Sequence, residues 1–127
     1  MGEAGRLDHD TRKHQRVGCS FPALVEIDPA FEGQVKLHIP KADGEVLDLS
    51  RGGAGLRLGV YLPRGVGVVL NIRAAQEEKG LGRAIAAKGR VVLSRMVAKR
   101  NYRVGVEFTQ IQPEDVKSIE DWAARNQ

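Results

Sequence analysis

The sequence predicts an all-β fold, an antiparallel barrel with a short C-terminal α-helix, on three observations. Apolar and polar residues alternate in six or seven short segments separated by Gly, Pro or Asp-Gly. Helical periodicity occurs only near the C-terminus. With 127 residues, 42% of them apolar and 28% charged, the chain suffices for one domain with its own core and leaves no room for a second. A barrel is preferred to an open sandwich because closure removes exposed strand edges.

The elements follow in order. Residues 1 to 17 carry almost no apolar side chains and cannot offset the entropy of ordering by burial, so they read as a flexible arm. Phe21, Ala23, Val25 and Ile27 share one side of a strand with Pro22 near its start, and Glu26 and Asp28 share the other. Val35, Leu37 and Ile39 alternate with Gln34, Lys36 and His38 in an extra segment, 34–40, whose role is open. Three more sets are Leu47 with Leu49, Leu56 with Leu58 and Val60, and Val66 with Val68, Leu70 and Ile72. Ala74–Gly82 is a polar loop. Ile85, Ala87, Gly89, Val91 and Leu93 line one face of a longer strand, and Tyr102, Val104, Val106 and Phe108 one face of the next. Pro113 suits a first helical turn, and Glu114 and Asp115 favour the positive end of the helix dipole. Val116, Ile119 and Ala123 then recur at helical spacing with Trp122 beside them. The aromatic complement is one Trp, two Tyr and three Phe, so the core is built mainly of aliphatic side chains.

Composition bounds the function. Twenty Lys and Arg against sixteen Asp and Glu leave a net charge of +4, a mild bias towards anionic partners. The single cysteine, Cys19, excludes an internal disulfide framework and a multi-cysteine zinc site and fits a reducing compartment. No apolar run is long enough for a membrane span, residues 1–10 lack a signal-peptide core, and Arg6 stands where a myristoylation signal needs Ser or Thr. The expected location is the cytoplasm, without membrane insertion.

Catalysis finds little support. His9 and His14 lie in the arm and His38 on a polar strand face, none with a partner at metal spacing. Ser50 has no nearby His or Lys, and no Gly pair is followed by the Lys-Ser/Thr of a phosphate loop. The sequence therefore implies neither an enzyme, nor a metal site, nor a cofactor.

Two features carry chemistry. Arg12-Lys13-His14-Gln15-Arg16 is the one place where two arginines stand four apart, a weak signal alone. Asp48-Leu49-Ser50-Arg51-Gly52-Gly53 is rarer. If Leu47 and Leu49 point inward, Asp48 and Ser50 stand side by side outside, and Gly52 and Gly53 let a flat ligand approach. A carboxylate accepts and a hydroxyl does either, which matches the N1–H and N2–H2 donors of guanine. Arginine forks suit phosphate and the O6/N7 edge. Together these features suit a small, anionic, guanine-containing ligand.

Arg12-x-x-x-Arg16, Asp48-x-Ser50-x-x-Gly53 and a late Tyr102-Arg103-Val104-Gly105-Val106-Glu107-Phe108 strand followed by a helix resemble the PilZ domain, from about Arg12 to Ala124. The resemblance implies a six-stranded antiparallel barrel with a C-terminal helix, and a non-enzymatic receptor for the second messenger cyclic di-GMP. It implies that Arg12 and Arg16, with Lys13 as a secondary candidate, grip phosphates and guanine edges as the arm folds over the ligand. Asp48 and Ser50 would bond a guanine, with Gly53, helped by Gly52, leaving room. Leu93 holds the place of a tryptophan that packs on a base in many members, which implies weaker stacking. Thr11, before the first motif arginine, leaves both one cyclic di-GMP and a stacked pair open. The division expected is an arm over 1–11 and one domain over 12–127, with the barrel at about 19–110 and the helix at about 113–125.

Two alternatives stand beside this reading. One is a PilZ-like module that works through protein contacts and ignores nucleotide. The other is nucleic-acid binding, since Lys79 to Arg103 holds eight basic residues and no acid. It is the weaker, because single-strand binders need aromatic platforms and Tyr102 is the one aromatic there. A receptor also needs a downstream protein partner, and a monomer or weak dimer is expected.

Overall fold

A computed structural model describes residues 16–31, 41–73 and 80–126. Six strands, β1 (Val17–Ile27), β2 (Lys41–Ser50), β3 (Gly53–Leu58), β4 (Gly67–Ile72), β5 (Ile85–Ala98) and β6 (Asn101–Ile111), precede one helix, α1 (Pro113–Asn126). The strands close into a barrel in the order β1-β2-β3-β6-β5-β4, and every neighbouring pair is antiparallel. The six-stranded barrel with a C-terminal helix is thus the fold of this chain. The extra segment 34–40 lies outside the described residues.

Alternation builds the interior. Phe21, Ala23 and Val25 of β1, Ala54, Leu56 and Leu58 of β3, Val68, Leu70 and Ile72 of β4, and Val104 and Val106 of β6 are all buried. The side chains between them face out, as a period of two requires. The helix closes one side through Ile119 and Trp122, whose ring meets Phe21 edge-on at 5.5 Å between centroids. Pro113 opens it, and the N–H groups of Asp115 and Val116 both bond the Gln112 carbonyl. Its fully buried residues are Asp115, Ile119 and Trp122, while Ala123 is partly buried against the core and Val116 is half-buried. Asp115 is buried because it meets Arg83 at 3.2 Å. The Ser118 hydroxyl donates to the Leu81 carbonyl at 2.8 Å, and Arg125 donates to that of Gly80 at 3.0 Å.

Three expectations change, two of them because extra residues interrupt the alternation. A bulge between Val46 and Asp48 makes Val46 and Leu49 the fully buried pair of β2, and Leu47 is the half-buried bulge residue. Another bulge inserts Val92 into β5, so Leu93 lies on the outer face and is 47% exposed. Asp43-Gly44 is no turn but lies inside β2, where a Cβ on Gly44 would collide with the Leu58 side chain and stand 2.8 Å from the Arg57 carbonyl oxygen. The ladder with β4 ends at Gly67–Arg90, Val91 still bonds Gly65 and Val66 through its backbone, and past Val91 β5 pairs among the described residues with β6 alone. That distal stretch exposes Val92, Leu93, Met96 and Val97 and ends in a tight turn at Lys99-Arg100, with Arg100 at φ 56°.

Candidate functional site

The second motif straddles the β2–β3 turn. Ser50 pairs with Gly53 across it, and the Gly52 N–H donates to the Ser50 hydroxyl at 3.1 Å. The Gly52 carbonyl accepts from Phe108 of β6 at 2.9 Å, and Arg51 reaches Glu120 of α1 at 2.7 Å. The turn is thus fixed from both sides. Ser50, paired with the outward Gly53, shares the outer face with Asp48, but it is buried there, and its hydroxyl serves the turn as an acceptor.

Asp48 does face outward, and the register sets its neighbours. It lies between Gly18 of β1 and Gly55 of β3; Gly55 pairs with Gly105 of β6, which pairs with Leu93 of β5. This outer row is a floor of bare backbone with a carboxylate near one end and an exposed leucine at the other. One row along stand Arg57, Arg103 and Arg95, with Arg57 also bonded to Glu45.

Arg16 joins this row from the residue before β1. Its Nη1 donates to Asp48 Oδ1 at 3.3 Å across 32 positions of sequence. The two side chains are only 12% and 24% exposed, so the pair is partly shielded from solvent. Arg16 Nη2 lies 3.0 Å from where a Cβ on Gly53 would stand, and the Val106 carbonyl oxygen lies closer still. Gly53 therefore makes room for the arginine and for β6. Arg16, Asp48 and Gly53 come together, Ser50 and Gly52 form the supporting turn, and Leu93 ends the floor. Arg12 and Lys13 lie outside the described residues.

Beside the pair, Cys19 donates to the Val46 carbonyl at 3.5 Å, and its pKa is pushed up to about 12 by burial, with the charges of Asp48 and Glu45 adding to the effect. It sits there as a protonated thiol. Among the described residues no group of three His, Cys, Asp or Glu could hold a metal ion. Of the basic run, Arg83 meets Asp115 and Lys88 lies 4.0 Å from Asp28, so part of that charge is already balanced.

Gly18 and Gly55 were not singled out in the sequence, and Gly105 was read only as part of the Tyr102–Phe108 strand motif. The signal available was Gly53-x-Gly55, a spacing that puts both on one face of a strand. What crosses above them depends on partners distant in sequence.

Solved structures share this architecture. Bacillus subtilis MotI/DgrA, an inhibitor of motility, superposes with a TM-score of 0.68 at 17% identity over 90% of this chain, which spans 50% of that one. The PilZ domain of Escherichia coli YcgR with c-di-GMP gives 0.60 at 13% identity, covering 91% and 90% of the two chains. Borreliella burgdorferi PlzA in complex with c-di-GMP gives 0.56 at 18% identity, covering 92% and 43%. This chain thus spans about half the length of MotI/DgrA and of PlzA. A comparison with curated protein sequences finds no match. The PilZ domain profile matches residues 10–125, almost the whole barrel-and-helix unit, and with the closed six-stranded fold this shows that the chain belongs to the PilZ domain family.

Proposed function

We propose that this PilZ domain is a non-enzymatic receptor for cyclic di-GMP. The observation that carries the reading is the contact between the two motifs: Arg16 of the first lies against Asp48 and across Gly53 of the second. The guanidinium then offers donors to phosphate or to O6/N7 of guanine, and the carboxylate accepts from N1–H and N2–H2. Arg12, with Lys13, adds charge as the residues before β1 order over the ligand. Ser50 acts at the Gly52 turn, and Gly105, next to the Gly55 that Asp48 covers, gives a flat base backbone to lie against, bounded by Leu93. Solved PilZ structures that contain c-di-GMP support the ligand.

Ligand binding would reshape the surface around the arm and signal to a protein partner, with the domain acting in the cytoplasm as a monomer or weak dimer. No helix among the described residues is long and apolar enough to cross a membrane. Calorimetric titration with cyclic di-GMP tests the reading. Arg16→Ala and Asp48→Ala should each cost about 1.5–3 kcal/mol, roughly ten- to more than a hundredfold in affinity. Absence of wild-type binding, or unchanged affinity in both variants, overturns it.

A second reading, a nucleotide-independent interaction module, draws on the exposed Val92, Leu93, Met96 and Val97. A pulldown that depends on these residues and is indifferent to added nucleotide would favour it.

A further inference from the structure

We infer that Gly55 is a positioning residue, whose missing side chain lets Asp48 lie down on β3 and hold Arg16; as a statement about ligand affinity, this rests on the receptor reading above. The outward positions of β3 are Gly53, Gly55 and Arg57, alternating with the buried Ala54, Leu56 and Leu58. A Cβ built on Gly55 would meet Asp48 and nothing nearer: Oδ2 at 2.6 Å, Oδ1 at 2.8 Å and Cγ at 2.9 Å. The adjacent outward space, at Gly53, receives Arg16 Nη2. The ion pair therefore lies lengthwise in a trough made by two glycines, with Gly105 continuing the bare backbone to the next strand.

The nature of the obstructing atoms separates the two glycines. At Gly53 the nearest atom is the Val106 carbonyl oxygen, part of the β3–β6 ladder, so a methyl group there forces strands apart. At Gly55 the three nearest atoms all belong to the end of one partly exposed side chain, which can rotate. Alanine at 55 keeps an ordinary strand conformation and leaves the barrel intact, but it lifts the carboxylate off the strand and away from Arg16. The ligand then meets a carboxylate displaced from Arg16 instead of a fixed carboxylate–guanidinium pair, and re-forming that pair costs affinity.

A double-mutant cycle on the full chain tests this with two readouts. The first is calorimetric affinity for cyclic di-GMP in wild type, Gly55→Ala, Asp48→Ala and the double variant. Gly55→Ala should weaken binding about tenfold or more, with little change in thermal midpoint, and should add nothing once Asp48 is alanine. The second is hydrogen exchange of the Arg16 guanidinium in the ligand-free protein by NMR, which should accelerate to the same rate in all three variants. Wild-type affinity and wild-type Arg16 exchange in Gly55→Ala overturn the inference, as does a Gly55→Ala effect that persists undiminished without Asp48. If the wild type binds no cyclic di-GMP, the receptor reading falls, and the Arg16 exchange rates alone decide the role of Gly55.

Discussion

The outer face of β2–β3 and the distal half of β5–β6 are both antiparallel surfaces facing away from the core, yet they carry opposite chemistry. On β2–β3 the side chains are absent or charged: Gly53 and Gly55 clear the strand, and Asp48 and Arg16 fill the cleared space as a pair. On β5 past Val91 most side chains are exposed, with Val92, Leu93, Met96 and Val97 apolar, the backbone is an edge on one side among the described residues, and extra residues at Val92 and Val97 interrupt the ladder. Bulges, together with Arg95 and Lys99, are devices that keep an edge from recruiting another strand indiscriminately. The contrast teaches that one barrel can keep two kinds of surface apart. One face offers fixed hydrogen-bonding groups at a few atoms, the other accessible apolar area.

Substituting Gly53 breaks the contrast most strongly. Gly53→Ala should destabilise the barrel by about 1–3 kcal/mol in urea unfolding, the cost of forcing volume into a packed ladder. Equal stability of Gly53→Ala and Gly55→Ala would erase the distinction between glycines facing backbone and glycines facing a side chain. A second, pH-dependent effect concerns Cys19 at the edge of the paired face. The unfolded thiol ionises around pH 9.0 while the folded thiol keeps its proton to about 12. Its contribution to stability is therefore complete below pH 9.0 and is lost as pH rises towards about 12. Chemical unfolding of wild type should fall off more steeply over that window than unfolding of Cys19→Ser; parallel curves would show that the thiol is not held protonated. The smallest effect belongs to the other face. Met96→Ser should change stability by less than about 0.5 kcal/mol and leave cyclic di-GMP affinity unaltered, because Met96 is 61% exposed and off the Asp48 row. A loss of affinity would join the two faces into one surface.

How much of this was legible in the sequence depended on how strictly the alternation held. Val66 to Ile72 and Ile85 to Val91 keep the period without interruption, and their inward residues were read correctly. Leu47 was misread because it is itself an inserted residue, and Leu93 because the inserted Val92 inverts the side chains after it; a bulge has no composition of its own. In the candidate site, Arg16, Asp48 and Gly53 were visible as motif residues, and the structure brings them into contact. The burial of Ser50 followed from a two-residue turn bond that alternation does not anticipate. Gly55 went unnoticed, and Gly105 entered only as part of the late strand motif, because the value of a missing side chain lies in what another strand lays across it. Cross-strand register set that, through pairs between Asp48 and Gly55 and between Gly55 and Gly105.

The contact between Trp122 and Phe21 has a spectroscopic consequence. Trp122 is the single tryptophan of the chain, and it is buried where α1 meets β1, the strand that begins directly after Arg16. Fluorescence excited at the indole band therefore originates at one known place, the joint between helix and barrel. Its wavelength and intensity make the native chain its own dye, reporting on that joint without a label.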